Sequence, residues 1–391
     1  PGETLWDDVD EADIKMPSPL ADAGRPSGDQ KRIEEAISLL QKAERPIIIA
    51  GSGVVSSEAG PELQTFVDTM QIPFFTTPLA RGLIPEDHPL CFLLARSYAW
   101  KEADVALVIG TRANWIVQHL SAPRFSNNLK LIMANLDPSE IGHNRPADVG
   151  ILGDAGAVLK QLTEQAKGRF GKSKAAGAWV NRLKQINIEK EKEARPLLSA
   201  GDKPIHPLRL CAEIRDILPR DSIVVVDGND ILSFARQSIP SYLPRHRLNT
   251  GPSGCVGTGL PFAIGAKLAE PGKTVVLITG DFSFGFNTME LDVAVRHKIN
   301  VVVVVSNNGR ISGIQEVTKW SWPTGNVLGF TRYDKIIEAL GGYGQYVEEP
   351  EEIRPALEKA FASGKPAVVN VVTAPVRAVT QLFGSNKVAA V

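Results

Sequence analysis

Two apolar runs, one helix apart, constrain this chain more than any other feature. Residues 274–279 (TVVLIT) and 299–305 (INVVVVV) are almost free of polar interruption. A strand with one wet face alternates apolar and polar residues. A continuous run marks a strand covered on both faces, as in a parallel sheet packed between helices. The first run ends in Gly280-Asp281-Phe282-Ser283-Phe284 and the second in Ser306-Asn307-Asn308. Asn287 with Glu290 three positions on is an N-cap signature, which predicts a helix over 288–297. Strand, helix and strand then form a right-handed crossover. It sets two carboxyl ends side by side, where open α/β sheets bind ligands. An Asp and an Asn delivered there are hard oxygen donors. Magnesium takes one or two such side chains and fills its octahedron with phosphate oxygens and water. The N–H groups of Phe282 and Ser283, near a helix start, would face phosphate. An ordinary α/β turn that happens to carry these residues is the alternative.

The rest of the chain repeats the alternation. Its 391 residues suffice for two or three cores. Residues 1–28, rich in Pro, Asp, Gly and Ser, read as a linker. A helical pattern over 30–43 leads into Arg45-Pro46-Ile47-Ile48-Ile49-Ala50-Gly51-Ser52-Gly53, a strand entering a glycine turn. Further strands are predicted at 72–76, 103–110, 129–135 and 149–152, giving a Rossmann-like domain over 29–165. The Lys- and Glu-rich stretch 166–205 reads as an exposed helix with a connector. A second α/β domain follows over 206–373, with strands at 223–227, 275–279, 299–305 and 367–372, and residues 374–391 form a tail. The fold class is therefore α/β, two Rossmann-like domains with mostly parallel sheets.

Charge and composition exclude several functions. A net charge of −1 gives no electrostatic case for nucleic acid or an anionic membrane. No apolar run reaches membrane-spanning length. The acidic start, Pro1-Gly2-Glu3-Thr4-Leu5-Trp6-Asp7-Asp8, resembles neither a signal nor a transit peptide. Cys91, Cys211 and Cys255 have no disulfide or metal spacing, which suggests a reducing, cytoplasmic setting. The 6 histidines form no HxH or HExxH pattern.

The Gly280-Asp281 and Asn307-Asn308 pairs resemble the thiamine diphosphate motif, GDG followed by about two dozen residues and NN, with Phe282 replacing the second Gly. Over nearly its whole length the chain is similar to the central and diphosphate-binding domains of thiamine diphosphate enzymes related to acetolactate synthase and pyruvate oxidase. Several segments resemble the 2-hydroxyacyl-CoA lyase and oxalyl-CoA decarboxylase branch. They are Pro85-Glu86-Asp87-His88-Pro89, Ala95-Arg96-Ser97, Gly110-Thr111-Arg112-Ala113-Asn114-Trp115 and Asn144-Arg145-Pro146. The GxRxNW stretch is the more specific; PEDHP occurs in acetolactate synthases too. The resemblance implies thiamine diphosphate and Mg²⁺ as cofactors, with the ion held by the Asp281 carboxylate, the Asn308 amide oxygen and the Arg310 backbone carbonyl. It assigns Gly228 and Asn229 to the diphosphate end and 249–261, including Gly254, to the loop beneath a bent cofactor. Val256 would be the wedge between the two rings. Small residues there allow close backbone approach. A glycine-rich turn with Val256 in the core is the plain alternative.

The family's catalytic glutamate lies in a pyrimidine-binding domain that precedes the central one, and no matching glutamate occurs here. The expectation is a C-terminal part of a larger enzyme, or one subunit of a split one. Its partner would be a pyrimidine-binding domain or subunit, within a homo-oligomer. An acyl-CoA substrate would need cations for its phosphates, and Arg245, Arg247 and Arg310 are candidates, or are simply solvated. Gly51 and Gly53 belong to a partial GxGxxG, read as an ADP or CoA-nucleotide site or as an empty structural turn. Asp137 could hold a ribose hydroxyl or a turn, and Arg112 a phosphate or an ion pair. Ser312 stands where oxalyl-CoA decarboxylases carry Tyr, which disfavours that reaction, and the tail could fold over the acyl-CoA. The leading expectation is a 2-hydroxyacyl-CoA lyase. Oxalyl-CoA decarboxylase, an acetolactate synthase-like carboligase and a non-catalytic nucleotide-binding subunit are the alternatives.

Overall fold

The computed structural model describes residues 6–18, 24–167, 174–311 and 325–377. The expectation for Ser312 and that for the tail beyond 377 lie outside them. Two parallel sheets carry the fold. The first contains β1 (Pro46–Ala50), β2 (Phe74–Thr76), β3 (Val105–Ile109), β4 (Lys130–Asn135) and β5 (Val149–Leu152) in the order β2-β1-β3-β4-β5. The second contains β6 (Ile223–Val226), β7 (Arg247–Leu248), β8 (Val275–Gly280), β9 (Val302–Asn307), β10 (Tyr343–Val347) and β11 (Ala367–Val372), ordered β10-β11-β9-β8-β6-β7. The α/β reading of two Rossmann-like domains holds. Valine and isoleucine runs fill β1, β3, β9 and β11, and every residue of these strands is buried. Branched side chains suit a pleated surface packed on both sides.

The differences are local. The sequence reading misses β7 and β10. Strand β7 has two residues and β10 (YGQYV) lies at the sheet edge, so neither has an apolar run. The helix predicted from 288 begins earlier, as Asp281–Asn287, then tightens to a 3₁₀ turn at Thr288–Glu290 and resumes as Leu291–Arg296. Asn287 stands at the N-cap position of the 3₁₀ turn but its side chain makes no cap bond: its Nδ2 donates to the Gly257 carbonyl at 2.6 Å. The 25-residue helix Lys174–Leu198 is not wholly exposed. It buries Trp179, Leu183 and Ile186 against the outer face of the first sheet, and Trp179 Nε1 donates to the Pro46 carbonyl at 3.2 Å.

One buried ion pair joins the two domains. Arg81 Nε donates to Glu86 Oε1 at 2.6 Å, and Arg81 Nη2 donates to Glu86 Oε2 and to the Ile239 carbonyl. Glu86 Oε2 in turn accepts from Ser241 N at 2.7 Å. Gly82 (φ +83) lies so close to Leu243 that a Cβ there would meet the Leu243 carbonyl oxygen at 2.1 Å. The chain segment 81–86 is thus a latch between central and C-terminal domains.

Candidate cofactor site

The adjacent carboxyl ends of β6, β8 and β9 open into a cavity of about 170 Å³. Gly228, Asn229, Val256, Asp281, Phe282, Ser283, Asn308 and Arg310 line it, with Val376 from the start of the tail. Most of the residues expected at a diphosphate site therefore come together. Gly254 does not line it; a Cβ there would lie 3.7 Å from Trp115. Gly228 sits at φ +104, and a Cβ would approach Gly280 N at 3.3 Å, so the backbone can come close to a ligand only with glycine here.

Asp281 is buried at the first turn of its helix. Its Oδ1 accepts from Phe282 N at 2.9 Å and its Oδ2 from Gly309 N at 2.7 Å. The Phe282 N–H is thereby engaged by the carboxylate rather than free for phosphate. Burial pushes the Asp281 carboxyl up to about 6, against the opposing pull of those N–H donors. The Asn pair divides its work. Asn307 is fully buried; its Nδ2 donates to Thr331 O and Asn370 Oδ1, and its Oδ1 accepts from Gly309 N at 3.3 Å. Asn308 faces the cavity, and its Oδ1 accepts from Arg310 N at 3.0 Å. These residues fit a divalent cation. Asp281 is a buried carboxylate with no cationic side chain within ion-pair distance among the described residues, and Asn308 and Arg310 line the same cavity.

Asp227, which sequence reasoning passed over as a strand end, is equally central. Its Oδ1 accepts from Gly228 N at 2.7 Å, and its Oδ2 accepts from Gly257 N and Gly259 N, both at 2.9 Å. An Asp immediately before Gly at the end of an apolar strand was the available signal.

A larger cavity, about 290 Å³, lies at the carboxyl edge of the first sheet, lined by Gly53, Arg112 and Asp137 among others. The partial GxGxxG is spent internally. Gly51 N donates to Ile109 O and Gly53 N to Gly110 O, so neither N–H is offered to a phosphate. Asp137 caps a turn, accepting from Ser139 N at 2.9 Å and Ser139 Oγ at 2.6 Å, and Arg112 pairs with Glu140 at 3.2 Å. Arg245 is exposed and pairs with Glu58 at 3.5 Å, away from both cavities. Arg247 is buried in the domain seam beside the Ile239 carbonyl, out of reach of a surface phosphate.

A third cavity, of about 170 Å³, lies between the domains. Arg96, Arg124 and Arg236 line it, together with Ser97, Trp115 and Gln118. None of the three arginines has an acidic partner among the described residues, and Arg236 Nε is buried without an acceptor. Burial and the positive charges of Arg236, Arg81 and Arg124 push Arg96 down to about 9. The wall of this cavity explains the sequence segments around it. Asn114 Oδ1 accepts from Ile116 N, after which Gln118, His119 and Leu120 all adopt left-handed backbone. Such a run is costly for residues other than glycine. Arg145 holds it, donating to the Leu120, Ser126 and Leu129 carbonyls, while Asn144 donates to Ala113 O. Trp115 Nε1 crosses to the Pro252 carbonyl at 2.9 Å, tying this wall to the loop that carries Val256.

The geometry defines a protein that can hold an anionic cofactor through a divalent cation at the carboxyl edge of a parallel sheet. Comparison with known proteins identifies which. The chain belongs to the thiamine pyrophosphate enzymes: the central domain of that family matches residues 33–162 and its C-terminal TPP-binding domain matches residues 230–371. It is 40% identical over 359 residues to a probable acetolactate synthase of Mycobacterium bovis, covering 90% of this chain and 63% of the relative. A 2-hydroxyacyl-CoA lyase of Arabidopsis thaliana is 36% identical over 362 residues, 88% of this chain and 62% of that protein. The oxalyl-CoA decarboxylase of Escherichia coli K12 is 36% identical over 351 residues, 88% and 61%. The chain thus spans less than two thirds of the relatives it matches, and identity alone does not separate the three activities. Among the described residues no helix is long and apolar enough to cross a membrane.

Proposed function

We propose that this chain forms the central and cofactor-binding part of a thiamine diphosphate- and Mg²⁺-dependent carbon–carbon lyase that cleaves 2-hydroxyacyl-CoA to an aldehyde or ketone and formyl-CoA. The observation that carries the acyl-CoA reading is the interdomain arginine cavity. Three unpaired guanidinium groups beside one another call for a multiply charged anion. The phosphates of CoA supply such charge; the single carboxylate of a small 2-oxo acid does not. When bound, the cofactor supplies an electron sink for the pair released as the C–C bond breaks. Asp281, Asn308 and the Arg310 carbonyl would hold the cation, and Gly228, Asn229 and Ser283 the diphosphate. Val256 would set the angle between the rings.

The acetolactate synthase-like carboligase is the second reading, favoured by the 40% identity to the mycobacterial relative. An assay for formyl-CoA against one for acetolactate separates the two, and failure to process any acyl-CoA refutes the first. A pyrimidine-binding domain or subunit is the proposed partner, in a homo-oligomer. Its support is the exposed apolar rim beside the cofactor cavity, where Phe286 is 59% and Met289 65% exposed. We further assign a cytoplasmic setting on the free thiols of Cys91, Cys211 and Cys255.

A further inference from the structure

The geometry points to Asp227 as a positioning residue for the cofactor, a buried anionic clamp that fixes Gly228 on one wall of the cavity and Val256 on the other. The inference rests on the thiamine diphosphate reading and deepens it. Asp227 closes β6: its own N–H donates to Ile278 O at 3.0 Å, so its backbone remains in the sheet while its carboxylate turns to the glycine-rich loop. A carboxylate that merely starts a helix would bond only the helix N–H groups. This one takes Gly259 N at the start of helix Gly259–Ala269, Gly257 N in the loop just before it, and the N–H of its own neighbour Gly228.

Gly257 is the pivot. It sits at φ +89, and a Cβ would meet the Cβ of Phe286 at 2.6 Å, so only glycine fits. Its N–H is held by Asp227 and its carbonyl by Asn287 Nδ2 at 2.6 Å. With both polar groups of Gly257 fixed, the peptide that joins it to Val256 is held in place, and Val256 lines the cavity. Gly259 packs directly on the clamp, since a Cβ there would meet the Asp227 Cβ at 2.7 Å. Asp227 does not line the cavity and acts only through its neighbours.

The test is Asp227→Asn in the assembled protein. Asn keeps the shape and one acceptor oxygen but turns an NH₂ toward N–H donors. Thiamine diphosphate with Mg²⁺ is titrated by calorimetry, the near-ultraviolet circular dichroism of the bound cofactor is recorded at saturation, and the melting temperature is measured without cofactor. The expected result is a Kd raised tenfold or more and a changed dichroism band, with a single cooperative cofactor-free melting transition retained. In the Asp227→Asn background, Val256→Ala adds little further loss, because the wedge is already misplaced. An unchanged Kd and band overturn the proposal. If Asp227→Asn does not fold, Asn287→Ala decides, since it releases the other side of Gly257: weakened cofactor binding with intact melting supports the clamp, and unchanged binding overturns it. A parent protein that binds no thiamine diphosphate overturns the cofactor reading itself, which is a different result from a parent that binds and a variant that binds equally well.

Discussion

Replacing Asp281 by Asn should make the metal-free protein relatively more stable as pH rises, while abolishing cofactor binding. Burial raises the Asp281 carboxyl from 3.8 to about 6. For an acid whose folded pKa lies above its unfolded one, the folded state holds its proton more tightly. Stability from this group is fully present below the unfolded value and is lost as pH rises through the folded value. At about 1.4 kcal/mol for each tenfold change, the ionised carboxylate costs the fold about 3 kcal/mol near pH 8 and about 1.5 kcal/mol near pH 5. Asn carries no such charge. It leaves either the Phe282 or the Gly309 N–H facing an amide NH₂, a loss of about 1–3 kcal/mol that does not vary with pH. The stability difference should therefore move by about 1.5 kcal/mol in favour of Asn between pH 5 and pH 8, whatever its absolute value. Urea unfolding followed by circular dichroism in chelator-treated buffer measures it. A difference that stays flat across this range, or moves against Asn, refutes the argument that an uncompensated buried charge sits at this strand end. Adding Mg²⁺ with thiamine diphosphate near pH 8 should stabilise the parent and leave the Asn variant unchanged.

Three further outcomes are expected. Glu86→Ala strands the Arg81 guanidinium in the domain seam and should cost about 3–5 kcal/mol in denaturant unfolding, with Glu86→Gln less damaging. Arg236→Ala removes one cation from the interdomain cavity and should raise KM for acyl-CoA about tenfold or more in steady-state kinetics, the loss of one charge-assisted contact, with kcat and the Kd for thiamine diphosphate retained. Gly257→Ala forces a Cβ against Phe286 at a left-handed position and should lower thiamine diphosphate affinity at least about tenfold in calorimetry, with a stability loss of about 1–3 kcal/mol.

Much of the fold was legible because burial on both faces leaves a compositional mark. The runs at β1, β8 and β9 are continuous and that at β11 is broken only by Asn370, so all four are legible as strands. Strand β10 was missed because an edge strand is half wet, and Gln345 and Tyr346 interrupt it. The first half of the crossover helix was missed for a different reason. Asp281 to Asn287 contains three phenylalanines and a glycine, poor helix formers, and the segment is helical because Phe284 packs against Tyr333 and Thr288 Oγ1 bonds the Phe284 carbonyl. At the site, the motif spacing pointed to Asp281 and Asn308 and the family resemblance to Gly228 and Val256, and all four line one cavity. Arg245 and Arg247, near in sequence to the loop, line neither this cavity nor the interdomain one. The cation cluster is assembled from Arg96, Arg124 and Arg236, up to 140 positions apart on two domains. No local pattern encodes such a contact.

The two buried aspartates show where sequence stops and geometry begins. Each ends a strand of the same sheet beside a glycine, as Asp227-Gly228 after β6 and Gly280-Asp281 closing β8. Each is buried and bonded to backbone N–H groups. A carboxylate can accept about four hydrogen bonds. Asp227 takes three, all from backbone, and does not line the cavity. Asp281 accepts from Phe282 N and Gly309 N and lines the cavity. A cation in the cavity could reach the second carboxylate and not the first. The same residue type at the same kind of strand end is thus closed off in one place and open to the cavity in the other, and what decides is whether the following loop folds over the carboxylate.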